Sequence, residues 1–251
     1  MATSTEESLW LRCFHPAPES PGQLLCFPHA GGSASFYFPF SEQLAPVTEV
    51  FAVQYPGRQD RLRESSPRDI GVMADRIYAA VRTQLGVRPT TFFGHSMGAV
   101  LAFEVARRFE ADGGEISRLF ASGRRAPSRH RDEDVHRRTD DGIVAELKSM
   151  SGTNTSLLGD EEILRMILPA LRSDYQAIET YRCAPGVTLR APVSVLTGDS
   201  DPKTSLEEAE EWRGHTTGAF DLKVFPGGHF YLGAQAPSVV AVLREHLTSV
   251  A

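Results

Sequence analysis

The sequence has no long apolar run, no excess of basic residues and only three cysteines among its 251 residues. No apolar stretch reaches the roughly 20 residues that a membrane-spanning helix needs. The formal net charge of −6 does not suggest a nucleic-acid-binding surface. Cys13, Cys26 and Cys183 lack the spacing of metal ligands, and an odd number of cysteines indicates reduced thiols. These absences favour a protein without a membrane or nucleic-acid partner.

The segment Met1–Glu7 is polar and acidic and lacks the basic and apolar regions of a signal peptide. We therefore expect a cytoplasmic protein. The apolar content of 41% and the charged content of 23% are ordinary for a globular chain. A chain of this length can form one large α/β domain with a sizeable core.

Apolar segments of strand length alternate with segments of helical periodicity along most of the chain. This alternation predicts an α/β fold, with a mostly parallel sheet and helices on both faces. In such sheets, sites lie beyond the carboxyl ends of the strands. The predicted strands are 9–14 (an edge strand), 23–27, 49–53, 90–93, 119–122, 192–197 and 220–225, and the predicted helices include 69–85, 206–212 and 238–247.

Residues 124–185 differ in character from the rest of the chain. They begin with a basic cluster and contain two helical patterns, near 140–150 and 161–181, without a strand pattern. Pro169 lies inside the second pattern, where we expect a kink or a break. The sequence therefore predicts a helical insertion at 124–185 over an α/β core formed by 1–123 and 186–251.

The stretch Gly94-His95-Ser96-Met97-Gly98 follows a predicted strand and precedes an amphipathic helical pattern. This order is typical of a nucleophile elbow, in which a serine lies on a sharp strand-to-helix turn. The turn forces the serine into a strained backbone conformation, and the glycines leave room for the neighbouring strand and helix. We therefore predict Ser96 as a nucleophile.

A serine nucleophile needs an adjacent base. His229 follows the last predicted strand, in a turn made flexible by Gly227 and Gly228, and is our candidate. His29 is the second choice, and we expect it mainly to shape its own turn. The side chain of His95 is expected to point away from the serine.

The base needs an acid that orients the imidazole. Asp199 and Asp201 both follow the strand at 192–197. We favour Asp201, because it lies further into the loop and precedes Pro202, and we assign Asp199 to local bonds within the turn. The resulting order, serine then aspartate then histidine, is that of the α/β-hydrolases.

The oxyanion of the tetrahedral intermediate needs two hydrogen-bond donors. One is the N–H of the residue after the nucleophile, Met97, and the other comes from a turn after an early strand. The glycine-rich turn at 28–32 meets this requirement, and we select the Ala30 N–H. The turn lacks the lysine or the GxGxxG pattern of a phosphate-binding loop.

Taken together, five motifs resemble the stand-alone type II thioesterases of polyketide or non-ribosomal peptide biosynthesis. The resemblance implies an α/β-hydrolase core with a helical lid at 124–185. It also implies removal of stalled or wrong acyl groups from the phosphopantetheine arm of carrier proteins, without a metal or an organic cofactor. Ser96 would be the nucleophile, His229 the base, Asp201 the acid, and Ala30 and Met97 the oxyanion donors. The motifs are Pro28-His29-Ala30-Gly31-Gly32, Tyr55-Pro56-Gly57-Arg58-Gln59-Asp60-Arg61, Gly94-His95-Ser96-Met97-Gly98, Gly198-Asp199-Ser200-Asp201 and Gly227-Gly228-His229-Phe230.

Other functions remain open from the sequence. A carboxylesterase or lipase acting on free esters would use the same residues, and so would a transacylase that passes the acyl group to an alcohol or amine. A binding protein that uses the fold without catalysis is a further alternative. Arg58, Arg61, Arg63 and the cluster at 124–131 provide either a positive face for an acidic carrier protein or structurally paired arginines.

Overall fold

The computed structural model describes residues 9–45, 47–151 and 161–249. Within these ranges, seven strands form one sheet in the order β1-β3-β2-β4-β5-β6-β7. β1 is antiparallel to β3, and all other neighbouring strands are parallel, which confirms the predicted sheet. The segment Met1–Glu7 lies outside the described residues. The strands are β1 (Leu11–Cys13), β2 (Gln23–Phe27), β3 (Glu49–Val53), β4 (Thr90–His95), β5 (Arg118–Ser122), β6 (Val193–Gly198) and β7 (Phe220–Phe225).

The helices connect these strands and form the insertion. The predicted helix over 69–85 is shorter and ends at Val81, and its start is capped by the side chain of Asp69, which accepts a hydrogen bond from the Val72 N–H at 2.9 Å. The α-helices are α1 (Phe38–Leu44), α2 (Ile70–Val81), α3 (Met97–Ala111), α4 (Asp140–Ser151), α5 (Glu161–Thr180), α6 (Leu206–Glu210), α7 (Tyr231–Ala234) and α8 (Ala236–Ser249), and short 3₁₀ turns cover 34–37, 59–61, 135–137 and 211–215.

Side chains of alternating direction along the strands form two apolar cores, one on each face of the sheet. Leu25 and Phe92 pack in the core that includes α2 and α3. Leu24 and Phe93 pack in the other core, which includes α1 and α8. Both faces are therefore covered by helices, as the alternating pattern predicts.

The described part of the 124–185 segment is helical and contains no strand. It has a small apolar cluster of its own, which includes Ile143 from α4 and Leu168 and Leu171 from α5. We expected a kink or a break at Pro169, and a break does not occur, since α5 continues through Pro169 to Thr180. We attribute this to the packing of Leu168 and Leu171 on either side of the proline, which offsets the missing backbone hydrogen bond.

Candidate active site

Ser96 lies on the turn between β4 and α3 with φ of +55° and ψ of −118°. This conformation is rare for a residue other than glycine, and it confirms the strain expected of an elbow. A Cβ atom at Gly94 would lie 2.2 Å from the Gly98 carbonyl oxygen, and one at Gly98 would lie 2.0 Å from the Phe27 carbonyl oxygen. Both positions require glycine, because backbone fills the space that a side chain would occupy.

The turns after β4, β6 and β7 bring the three predicted side chains together. The Oγ of Ser96 lies 3.0 Å from Nε2 of His229. Nδ1 of the same ring lies 3.0 Å from Oδ2 and 3.1 Å from Oδ1 of Asp201. Because a carboxylate only accepts hydrogen bonds, Nδ1 carries the proton, and Nε2 is left to accept from the serine hydroxyl. His229 and Asp201 are both buried.

The two aspartates of the β6 turn have different partners. Asp201 faces His229 and also accepts a hydrogen bond from the Lys203 N–H at 2.8 Å. Asp199 accepts from the Gly227 N–H at 3.0 Å and so connects the β6 turn to the β7 turn. Our choice of Asp201 therefore agrees with the contacts, and Asp199 makes the local bonds that we assigned to it.

The turn after β2, which carries Ala30, is held by side chains from several elements. The hydroxyl of Tyr55 donates to the Pro28 carbonyl at 3.0 Å, and the side-chain Oε1 of Gln54 accepts from the Ala34 N–H just after the turn at 2.9 Å. Among the residues that the structure describes, the N–H groups of Ala30 and Met97 have no hydrogen-bond partner. Both amides are therefore free to bind an oxyanion.

One contact to this turn comes from the helical insertion. Asp174 of α5 is fully buried, and its Oδ2 accepts from the N–H of Gly31 at 2.8 Å and from the guanidinium of Arg58. Burial raises the pKa of Asp174, against the opposing effect of Arg58. Sequence reasoning missed this pair, because the two residues are 116 positions apart and neither lies in a recognisable acid–base pattern.

Two neutral histidines surround His229. The ring of His95 lies against that of His229 with 5.2 Å between the centroids, and the direction that we expected for it relative to Ser96 stays a prediction. Nδ1 of His95 lies 2.9 Å from the Ser122 hydroxyl, which in turn contacts Tyr231. Burial holds the pKa of His95 well below its usual value and lowers that of His29 to about 3. Such a low pKa makes His29 a poor general base at neutral pH.

A cavity of about 30 Å³ adjoins Ser96 and His229. Space of this size holds a water molecule or two. Its walls also include Ala30 and Phe230, and the insertion covers it with side chains of α4 and α5, namely Leu147, Met150, Tyr175, Ile178 and Glu179. The insertion therefore covers the reacting groups of Ser96 and His229.

Most of the arginines considered for a positive face are in ion pairs. This arrangement favours their structural interpretation, in which they hold segments together. Arg63 is exposed. The pairs are Arg58 with Asp174, Arg61 with Glu64, Arg125 with Glu133, Arg129 with Glu211 and Arg131 with Glu208.

The sheet order, the elbow and the three converging side chains are those of a serine hydrolase of the α/β-hydrolase fold. Comparison of this chain with known proteins identifies a family within that class. The family profile described as "Thioesterase domain" matches residues 22–247. The type II thioesterase BorB from the borrelidin biosynthetic cluster superposes with a TM-score of 0.91 at 48% identity, over 95% of this chain and 98% of that one.

Two curated relatives come from Streptomyces. The probable cadicidin biosynthesis thioesterase of Streptomyces griseus is 59% identical over 95% of this chain, which spans 66% of that relative's length. Thioesterase PikA5 of Streptomyces venezuelae is 47% identical over 97% of this chain and 87% of its own length. The chain therefore belongs to the thioesterase family, in the type II group that includes BorB.

The described residues lack two features, one typical of metal sites and one typical of membrane-spanning helices. No cluster of three or more histidine, cysteine, aspartate or glutamate side chains suited to a metal ion is found in the described ranges. Among the helices of the same ranges, none combines the length and the apolar character needed to cross a bilayer.

Proposed function

We propose that the chain hydrolyses acyl thioesters on the phosphopantetheine arm of carrier proteins and so removes stalled or aberrant acyl groups from a biosynthetic synthase. The observation that carries the proposal is the chain of contacts from Ser96 through His229 to Asp201, on a strained elbow with two free amides beside it. The pathway names of the relatives support a carrier-protein substrate.

In the first half of the reaction, His229 Nε2 takes the hydroxyl proton of Ser96 while Oγ attacks the thioester carbonyl. The N–H groups of Ala30 and Met97 stabilise the oxyanion that forms. Asp201 holds the imidazole in the required tautomer and stabilises the imidazolium. The carbon–sulfur bond then breaks, and the proton on Nε2 passes to the departing pantetheine sulfur.

The second half repeats the same steps with water. His229 takes a proton from a water molecule, whose oxygen attacks the acyl-serine carbonyl, and the oxyanion returns to the same two amides. The ester bond breaks, and the proton moves from Nε2 back to Ser96 Oγ. The products are a carboxylic acid and a free carrier-protein thiol.

We further propose that residues 124–185 act as a lid. The cavity beside Ser96 is small, and α4 and α5 supply much of its wall. Helices α4 and α5 share an apolar cluster of their own, which supports movement of these helices as a unit, while Ala177 and Ile178 of α5 pack in the core that includes α2 and α3.

The test is hydrolysis of acetyl-loaded carrier protein by wild type and by Ser96→Ala. We expect kcat/KM to fall by at least about 10⁴-fold in the variant, because no other group can form the acyl-enzyme. Wild type should also be labelled by a fluorophosphonate, and the variant should not. Hydrolysis at the wild-type rate by Ser96→Ala would exclude the mechanism.

The remaining alternatives give distinct results in the same assay. Faster turnover of simple oxyesters than of loaded carrier protein would indicate a carboxylesterase. Acyl products formed with an alcohol or amine would indicate a transacylase. Absence of both labelling and turnover would indicate a non-catalytic binding protein.

A further inference from the structure

Arg124 follows β5 and lines the same cavity as Ser96 and His229. Its backbone is held on both sides. The preceding Gly123 donates its N–H to the Leu196 carbonyl at 2.8 Å, and the Arg124 carbonyl accepts from the indole N–H of Trp212 at 2.8 Å. The side chain is 9% exposed, so what remains accessible belongs to the cavity wall.

The other charged side chains of this cavity have partners. Glu133 pairs with Arg125 and with Lys203, and Glu179 accepts hydrogen bonds from two backbone N–H groups. Within the described part of the chain, the guanidinium of Arg124 has neither a hydrogen bond nor an ion pair. It is therefore a buried cation without a partner in the wall of the cavity that holds the reacting groups.

A buried charge without a partner does not stabilise the fold, because the loss of hydration is not repaid by a contact. Burial, together with the neighbouring Arg125, lowers the pKa of Arg124 to about 9, against the opposing effects of Glu133 and Glu208. The guanidinium is still charged at neutral pH, so its burial lowers the stability of the fold at that pH. Charged groups held in this way are concentrated at functional sites.

Resting on the function proposed above, we propose that Arg124 binds a keto oxygen at the third carbon of the acyl group while the thioester carbonyl lies at Ser96. A guanidinium is only a donor, so its partner must be an acceptor such as an oxygen atom. Ser96 and Arg124 line the same small cavity, so a short acyl group attached at Ser96 would lie next to Arg124 once the walls have moved apart to admit it. Arg124 is thus assigned as a residue that determines specificity for 3-oxoacyl groups.

The charges already in the cavity wall favour a neutral oxygen over an anionic one. Glu133 and Glu179 line the wall with Arg124 and Lys203, so two acidic and two basic side chains balance, and a carboxylate brought in by the substrate would add an uncompensated buried charge. A saturated acyl chain has no acceptor and would leave the guanidinium desolvated and unpaired. The expected order of preference is therefore 3-oxobutyryl first, with butyryl and malonyl behind it.

The experiment compares 3-oxobutyryl and butyryl thioesters of N-acetylcysteamine in wild type and in Arg124→Met. The ratio of the two kcat/KM values, compared between the proteins, cancels the different intrinsic reactivities of the thioesters. We expect this ratio to fall about tenfold or more in Arg124→Met, with butyryl hydrolysis changed less than about threefold. An unchanged ratio would overturn the proposal.

A matched variant separates binding from folding. Arg124→Met should melt at the wild-type temperature or above it, because no partner is left unpaired. Arg125→Met removes a partner of Glu133 and should melt lower, with the substrate ratio unchanged. A clear drop in melting temperature for Arg124→Met alone would show that Arg124 has a structural partner, and would count against the proposal.

Two further outcomes would assign the oxygen bound by Arg124 to a different group of the substrate. If Arg124→Met lowers kcat/KM equally for both thioesters but not for p-nitrophenyl butyrate, the contact lies on the amide of the N-acetylcysteamine group. This result would overturn the assignment to the acyl group. A malonyl preference that Arg124→Met removes would overturn the choice of keto over carboxylate.

Binding gives a readout that does not depend on turnover. Titration of 3-oxobutyryl-N-acetylcysteamine into Ser96→Ala should show an affinity about tenfold higher than into Ser96→Ala/Arg124→Met. Equal affinities would overturn the proposal. If the two affinities differ as expected but the wild-type protein does not hydrolyse thioesters, the result would count only against the proposed function.

Discussion

The turns at the strand ends and the helical insertion are built by different means. In the turns, backbone lies directly against backbone: a Cβ at Gly98 would lie 2.0 Å from the Phe27 carbonyl oxygen, and one at Gly198 would lie 2.2 Å from the Gly227 carbonyl oxygen. The insertion is attached to the core by side-chain contacts, which include ion pairs such as Arg131 with Glu208 and apolar residues such as Ile178.

The difference suggests a division of labour. Contacts between backbone atoms allow little displacement, so they suit the groups that must meet within hydrogen-bonding distance for the reaction. Partly exposed ion pairs contribute little net stability, so they suit the opening that we propose for this segment. The buried Asp174 is an exception, because it belongs to the insertion and yet holds the turn that carries Ala30.

The largest expected effect on kcat comes from replacing Asp201, in the turn after β6. Asp201→Asn should lower kcat by about 10³- to 10⁴-fold, because an amide in place of the carboxylate favours the wrong tautomer of His229. The measurement is steady-state hydrolysis of an acyl-N-acetylcysteamine thioester.

Asp199→Asn is the matched control in the same turn. Its amide oxygen can still accept from the Gly227 N–H, so kcat should stay within about threefold of wild type. Equal losses in the two variants would show that the turn acts as a whole and that Asp201 has no separate role.

A smaller effect is expected where the insertion contacts the turn. Replacing Arg58 and Asp174 together avoids an unpaired buried charge. Arg58→Met/Asp174→Asn keeps an acceptor for the Gly31 N–H, whereas Arg58→Met/Asp174→Leu removes it. The Leu variant should lose about 10²-fold in kcat relative to the Asn variant, since the oxyanion turn is then less well held.

Two measurements separate positioning from folding in this pair. KM should be nearly equal in the two variants, and the affinity for a boronic acid that forms a tetrahedral adduct should fall in parallel with kcat. Equal kcat values would show that the insertion covers the site without positioning its groups.

The smallest effect concerns pH. The pKa of His95 is lowered in the folded state, and the unfolded chain has a value near 6.5, so the unfolded state binds more protons as the pH falls below 6.5. The contribution of His95 to stability is therefore complete above pH 6.5 and declines toward pH 5, by up to about 2 kcal/mol. Urea unfolding measures this effect. Between pH 7 and pH 5, the free energy of unfolding should decrease less for His95→Gln than for wild type, and equal decreases would contradict the prediction.

The sequence allowed prediction of the parts that local patterns specify. The elbow around Ser96 and the turns with Asp201 and His229 have short signatures, because each depends on glycines next to a strand end. The alternation of strands and helices likewise predicted the sheet and the placement of helices on both faces.

Contacts between distant positions could not be read in the same way. The pairing of Asp174 with Gly31 and Arg58 depends on how α5 lies over the turn, and no local pattern encodes that placement. The direction of the His95 ring depends on Ser122 of the neighbouring strand. The continuation of α5 through Pro169 depends on apolar packing around it, which propensity alone does not include.

The contact of Gly98 with the Phe27 carbonyl has a practical consequence for engineering. The segments that carry Met97 and Ala30 are joined there with no spare volume, so libraries aimed at new acyl preferences should leave 27–32 and 94–98 unchanged. Exchange of the 124–185 segment between relatives offers the better starting point, because a chimera of that kind alters the covering of the site and retains its chemistry.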